Sequence, residues 1–269
     1  MTDLASLTSA RLPGGWSGLS LLATGDASAV YRATRVVDGA VIALKVLHDD
    51  GDPPPRLPRV AAHAGLVTLH GAGRVGGAAY VTMALVPGAP VDAVVARGPL
   101  APAAALPIVA QLADALVHLH AHGVVHGAVE PDHVLVDGGR ACLISLDGAP
   151  ARSAPHQPRH VCRGRGAFVS GRPSYQAPER LRGLAIDHRA DVYGLGLVAY
   201  TLLTGVDAFA ADALMTTIVQ AVRGPPLTLP PALAADARLA AWFAQAVARD
   251  PAARFPTAAA LRAALPSSP

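Results

Sequence analysis

Apolar residues alternate with polar ones in short runs through the first third of the chain and recur at helical spacing through the rest. Leu19–Ala23, Ala29–Arg35 and Val41–Leu47 are separated by the turn residues Thr24-Gly25-Asp26 and Asp38-Gly39, which predicts three strands joined by tight turns. Val67–Gly71 and Ala78–Leu85 read as two more. Between the third and fourth runs lies Asp49-Asp-Gly-Asp-Pro-Pro-Pro-Arg-Leu-Pro58. Each proline costs roughly 3 kcal/mol inside a helix, so no regular helix crosses 53–58. Ala101–His120 changes to the helical period, with Gln111, Asp114 and His118 along one polar face and His122-Gly123 as its stop. Ala141–Leu146 is an apolar strand, and 258–265 form a last short amphipathic helix. Residues 1–16, punctuated by Ser, Thr, Gly and Pro, read as a leader. Strands dominate 19–86 and helices 89–266, an α+β chain.

Composition narrows the function classes. The chain has 269 residues, 52% apolar and 15% charged, enough for a sizeable core in one large domain or two packed lobes. The net charge of +3 and the lack of interleaved basic and aromatic residues argue against nucleic acid. No run reaches the ~20 uninterrupted apolar residues of a membrane span, and Met1–Ala10 lacks a signal-peptide pattern. The two cysteines, Cys142 and Cys162, have no metal-like spacing, so a reducing, cytoplasmic setting is expected. There is one lysine, Lys45, no asparagine, and only two glutamates, Glu130 and Glu179. Such a bias matches a GC-rich bacterial genome. It accounts for a missing asparagine but not for a missing aspartate, which the chain uses freely.

The stretch from His126 to Gly148 organises the chain. His126, Pro131, Val134-Leu135-Val136-Asp137 and the strand that follows resemble the catalytic loop, hairpin and metal turn of a protein kinase, H-R-D-L-K-P-x-N-I-L-V-D … L-x-D-F-G. Further matches are Ala43-Leu44-Lys45 to V-A-I-K and Gly171-Arg-Pro-Ser-Tyr-Gln-Ala-Pro-Glu179 to G-T-P-x-Y-x-A-P-E. Asp191–Gly205 matches the central buried helix, and Arg249-Asp-Pro-Ala-Ala-Arg254 the late D-P-x-x-R. Over about 19–266 the chain resembles a bacterial Hanks-type (eukaryotic-like) Ser/Thr protein kinase domain with degenerate catalytic motifs. The resemblance implies a two-lobed fold: a small β-rich lobe over 17–86, its regulatory helix shortened or missing, and a larger helical lobe over 87–266.

The resemblance also assigns roles. Ala128 stands at the catalytic aspartate, Glu130 at a phosphate-contacting lysine, His133 at the metal-binding asparagine and Ser145 at the metal-binding aspartate. The reactive positions are therefore replaced and the shape positions kept, the pattern of a pseudokinase. Asp147 is the one alternative metal ligand, if a phenylalanine is deleted from the metal turn and strand alternation carries it to the side of Ser145. The base slot is complete: Gly25 survives from the glycine-rich loop, and Val30, Ala43, Met83, Ala84, Val86 and Leu135 match residues around the adenine, with Lys45 at the phosphates. ATP or ADP is the implied ligand, with Mg²⁺ absent or not required. The usual glutamate partner of Lys45 is missing, and Asp49, Asp50 or Asp52 would have to substitute. His126, Glu179, Asp191 and Arg254 match structural residues of the family.

One surface remains. Residues 149–171 contain Arg152, Arg159, Arg163 and Arg165 with His156 and His160, and no acid or threonine. Arginine forks match phosphate and carboxylate geometry, so the strip through Arg172 reads as a docking face for an acidic or phosphorylated protein, such as an active kinase or a phosphopeptide-binding protein.

Overall fold

The computed structural model describes residues 15–25, 28–47, 55–75, 78–146, 171–209 and 213–266. It divides into two compact units, residues 1–62 with 67–86, and residues 63–66 with 87–269.

The first unit is an antiparallel five-stranded sheet of order β1-β2-β3-β5-β4. Its strands are β1 (Trp16–Thr24), β2 (Ser28–Arg35), β3 (Val41–Leu47), β4 (Leu69–Val75) and β5 (Ala78–Ala84). Alternation sends Ala29, Tyr31, Ala33, Ile42, Leu44 and Val46 to one face, where Trp16, Leu19, Ala78 and Tyr80 pack on them. The β2–β3 turn is closed by Arg35, whose Nε donates to Asp38 Oδ1 at 2.9 Å, and Gly39 takes the left-handed φ of 71° that the turn needs.

Two strands of this sheet differ from expectation by more than one residue. Trp16 opens β1 instead of closing a leader, because its ring meets Tyr80 edge-on at 6.3 Å. β4 runs over 69–75, not 67–71. Its glycines suggest a loop, but a Cβ on Gly73 would lie 2.7 Å from the Tyr80 hydroxyl, so the bare backbone is what lets that ring lie across the strand. Among the described residues between β3 and β4, 55–68 contain no helix.

The second unit opens with β6 (Ala89–Pro90) and α1 (Val91–Val95). α2 (Pro102–Ala121) starts with proline at its first turn and stops before Gly123, whose φ is 71°. α2 is the one helix among the described residues long and apolar enough to cross a membrane; here it packs against other elements of its own unit. β7 (Val134–Asp137) pairs with β6 and with β8 (Arg140–Leu143). Then come α3 (Pro178–Leu181), α4 (Arg189–Thr204), α5 (Leu214–Arg223), α6 (Pro231–Ala234), α7 (Ala237–Ala246) and α8 (Ala258–Ala263). Asp236 caps α7 by accepting from Arg238 and Leu239 N–H groups, and Thr257 caps α8 by accepting from Ala260 N–H.

α4 is the centre of this unit, with thirteen of its sixteen residues buried. Two glycines set its seams. A Cβ on Gly194 would lie 2.7 Å from the Val129 carbonyl oxygen, and one on Gly196 would lie 2.7 Å from Val247 Cγ1. Main chain therefore meets main chain between α4 and the loop at 126–130.

Candidate functional site

The loop is held from below by Asp191, in the first turn of α4. Its Oδ2 accepts from His126 N–H at 2.9 Å and its Oδ1 from Gly127 N–H at 2.7 Å. His120 Nε2 also reaches Oδ2 at 2.7 Å. Burial works to raise the Asp191 carboxyl, but the hydrogen bond and charge of His120 outweigh it and hold the group below the usual carboxylate range. His126 braces the same loop sideways. Its Nδ1 accepts from Ala128 N–H at 3.2 Å and its Nε2 lies 2.8 Å from the Ile144 carbonyl. A carbonyl only accepts, so the network assigns the neutral Nε2–H tautomer, and burial pushes the ring's pKa down. The Arg180 guanidinium donates to the Gly127 carbonyl from beneath.

The replaced positions are well defined. Ala128 is half-buried and offers no proton-accepting side chain. His133 turns its Nδ1 back to the Ala128 carbonyl at 2.8 Å. Ser145 has φ of 66°, the only non-glycine residue among those described with positive φ. That region is enriched in aspartate and asparagine, and a serine there carries strain that the surrounding structure must hold. The left-handed kink also follows the end of the extended run, β8 stopping at Leu143, three residues short of the expected Leu146. The strand argument that would carry Asp147 to the same side as Ser145 therefore fails, and Asp147 itself lies outside the described residues.

Glu130 does not present its carboxylate outward. It is 4% exposed, its Oε2 accepts from Arg172 N–H at 2.8 Å, and its Oε1 lies 3.3 Å from His133 Nδ1. Gly171 is part of the fit, since a Cβ there would stand 2.8 Å from Oε2. Burial pushes the Glu130 carboxyl up to about 7, against the pull of the Arg172 N–H. The other carboxylate of the loop, Asp132, accepts from Arg172 Nε at 3.1 Å.

A family model described as the protein kinase domain matches residues 16–229. The chain belongs to the protein kinase domain family. It is 32% identical over 258 residues to the serine/threonine-protein kinase Pkn1 of Myxococcus xanthus, covering 91% of this chain. It is 34% identical over 250 residues to the DNA damage-responsive serine/threonine-protein kinase RqkA of Deinococcus radiodurans, covering 86%. A third relative, PknD of Mycobacterium tuberculosis, is 34% identical over 260 residues, covering 89%. The matched regions are 36–37% of those relatives' own length. The first unit is thus the β-rich lobe and the second the helical lobe of a Hanks-type kinase domain.

The residues expected to bind nucleotide fall in both lobes. In the small lobe Val30 pairs with Lys45, Lys45 with Val81 and Ala43 with Met83 across neighbouring strands. Their alternation places Val30, Ala43, Lys45 and Met83 together on the face opposite the Tyr31–Leu44 core. Gly25 closes its turn by donating to the Ser28 carbonyl at 2.9 Å. Ala84 ends β5, and Val86 is half-buried beyond it. Leu135 sits in the large lobe on β7, paired with Pro90 and Cys142. No cluster of three or more metal-ligating side chains occurs among the described residues.

Of the four structural residues, Asp191 and His126 meet at the loop described above, and Glu179 and Arg254 form a buried pair. Arg254 donates to both Glu179 oxygens, at 2.8 and 2.7 Å, with its guanidinium 4.8 Å from the Tyr193 ring centroid. Asp49, Asp50, Asp52, Arg152, Arg159, Arg163 and Arg165 lie outside the described residues. The last arginine of that strip, Arg172, does not extend a free basic face. Its guanidinium is paired with Asp92, Asp132 and Asp207. Sequence reasoning missed this role. Its signals were Glu130 in place of lysine and Arg172 in place of threonine, each legible alone but not as a pair.

Proposed function

We propose that this kinase domain is a pseudokinase, a regulatory or scaffolding element that works by binding, with ATP or ADP as a conformational ligand. The observation that carries the reading is the state of the loop's carboxylates. The position of the general base is Ala128, and both carboxylates between His126 and His133, Glu130 and Asp132, are engaged with Arg172. Phosphoryl transfer in this family is largely positioning and charge stabilisation by metal ions and lysine. With His133 and Ser145 at the metal positions, the loop retains shape without that chemistry. Lys45 and its apolar neighbours support retention of a nucleotide, held with little dependence on Mg²⁺.

The deciding experiment is incorporation of radiolabelled phosphate from ATP with Mn²⁺ and a generic basic substrate. The expected result is none above background. Incorporation lost in Lys45→Ala would instead support a weak or atypical Ser/Thr kinase using Asp147 as metal ligand; that the three relatives are named serine/threonine-protein kinases favours a kinase reading. A melting scan with ATP or ADP separates a nucleotide-binding pseudokinase from a scaffold with an empty slot, because a ligand that binds only the folded chain raises its melting temperature.

A further inference from the structure

Arg172 ties four pieces of the large lobe together. Its backbone N–H donates to Glu130 at 2.8 Å. Its guanidinium pairs with Asp92 in the first turn of α1, with Asp132 at 3.1 Å, and with Asp207, beyond the end of α4, at 3.6 Å. Tyr175, three residues on, donates its hydroxyl to Asp207 and lies 2.7 Å from Thr201 Oγ1. One guanidinium thus holds three carboxylates drawn from three separate elements, and the main chain beside it is gripped by a fourth.

Among the described residues, Arg172 is the cation with which all three aspartates pair. Three aspartates facing each other repel unless a positive charge sits among them. Their side chains are 27–51% exposed, so the pairings are reached by solvent ions and each is individually weak. A contact of several weak, solvent-reached pairs closing on one flexible side chain is reversible. The Glu130 bond differs, being buried and on the main chain.

We infer that Arg172 is a releasable clasp, which fixes the 171–175 segment to α1, the 131–133 turn and the α4 exit, and which a competing guanidinium opens. An arginine-bearing basic segment on a partner has that chemistry. A planar fork matches carboxylate pairs where a sodium ion or a lysine does not. Opening frees the side-chain half of the attachment, while Glu130 keeps the main chain near its position. The device is independent of whether the chain transfers phosphate, since none of these side chains is asked to touch nucleotide.

Hydrogen exchange at 171–176, read at the Ser174, Tyr175 and Gln176 amides of the full chain, tests it. In wild type, guanidinium chloride at about 50 mM, too dilute to unfold a typical domain, should speed exchange about tenfold over sodium chloride at equal ionic strength. Asp132→Asn, the most exposed of the three carboxylates, should shrink that difference. Arg172→Gln should exchange fast in either salt. Guanidinium and sodium acting alike on wild type would overturn the inference, as would exchange at 171–176 that follows only global unfolding. If Arg172→Gln does not fold, the wild-type and Asp132→Asn comparison decides alone. Absent phosphoryl transfer leaves this measurement untouched, so the two readings fail separately.

Discussion

Arg254 and Glu179 face each other through two parallel N–H···O bonds, with the guanidinium side chain fully buried. The pair joins the segment after α7 to α3, and Arg254 also donates to the carbonyls of Ala248, Arg189 and Arg249. Removing one member leaves a buried charge uncompensated. Glu179→Ala or Arg254→Ala should each destabilise the large lobe by about 3–5 kcal/mol, measured by urea unfolding. A loss under about 1 kcal/mol would show that the pair is dispensable.

Glu130 gives a pH dependence of defined sign. Its carboxyl titrates at about 7 in the folded chain against an ordinary value of 4.5. Below the lower value both states are protonated and nothing is lost. Between the two, the folded chain keeps a proton that the unfolded chain has released, so stability falls as pH rises through the window. Glu130→Gln keeps the shape and an acceptor for Arg172 N–H without the charge. It should gain about 1–3 kcal/mol over wild type at pH 8 relative to pH 5. Comparing the two proteins removes the opposite trend from His126, whose depressed pKa favours the neutral ring at higher pH. A pH-independent difference would contradict the assignment.

Nucleotide binding should be weak and nearly unchanged by EDTA, because His133 and Ser145 stand where metal ligands belong. Lys45→Ala should lower the affinity for ATP by about tenfold while leaving that for adenosine unchanged, read by calorimetry with and without Mg²⁺. A strict Mg²⁺ requirement would count against this and would favour a role for Asp147.

Restoring the reactive residues should not restore a kinase. Ala128→Asp, His133→Asn and Ser145→Asp together should still fail the radiolabel assay, because the parts of such a site act as a unit and Glu130 still stands at the position of the phosphate-contacting lysine. Adding Glu130→Lys should lower the melting temperature as well, since it buries a cation in place of the carboxylate that accepts from Arg172 N–H. Efficient phosphorylation by the triple variant would show that Glu130 does not prevent transfer.

The arginines at 152, 159, 163 and 165 should support salt-sensitive binding of an acidic or phosphorylated protein, because exposed charges are screened within roughly 8–10 Å at physiological ionic strength. A pull-down with a phosphorylated acidic peptide, repeated with all four changed to glutamine, checks this. Binding that survives both high salt and the substitutions would exclude the strip.

Much of this architecture was legible in the residues. Alternation located β2, β3 and β5, and the helical period located α2 within one residue at each end. The family motifs carried Glu179, Arg254 and Asp191 to their places because those motifs are long and closely spaced. β4 was cut short because Gly71 and Gly73 look like loop residues until Tyr80 is seen to cover one of them. The strand through Ser145 ends early because a left-handed serine leaves no pattern in sequence. Glu130 was read as facing a phosphate because nothing local reveals that Arg172, forty-two positions away, holds it. Period and motif report local geometry; the errors at Gly73 and Glu130 are made by partners elsewhere in the chain, and the one at Ser145 by a backbone angle.

The close approach at Gly194 also bears on how such a chain arises. With no side chain on α4 at that point, the Val129 carbonyl rests against helix backbone, and Asp191 grips two neighbouring loop amides rather than any side group. The loop's path is thereby set by atoms that every amino acid possesses. Substitutions at 128 and 133 leave those atoms in place, so on the proposed reading side chains there were replaceable without moving the loop's main chain.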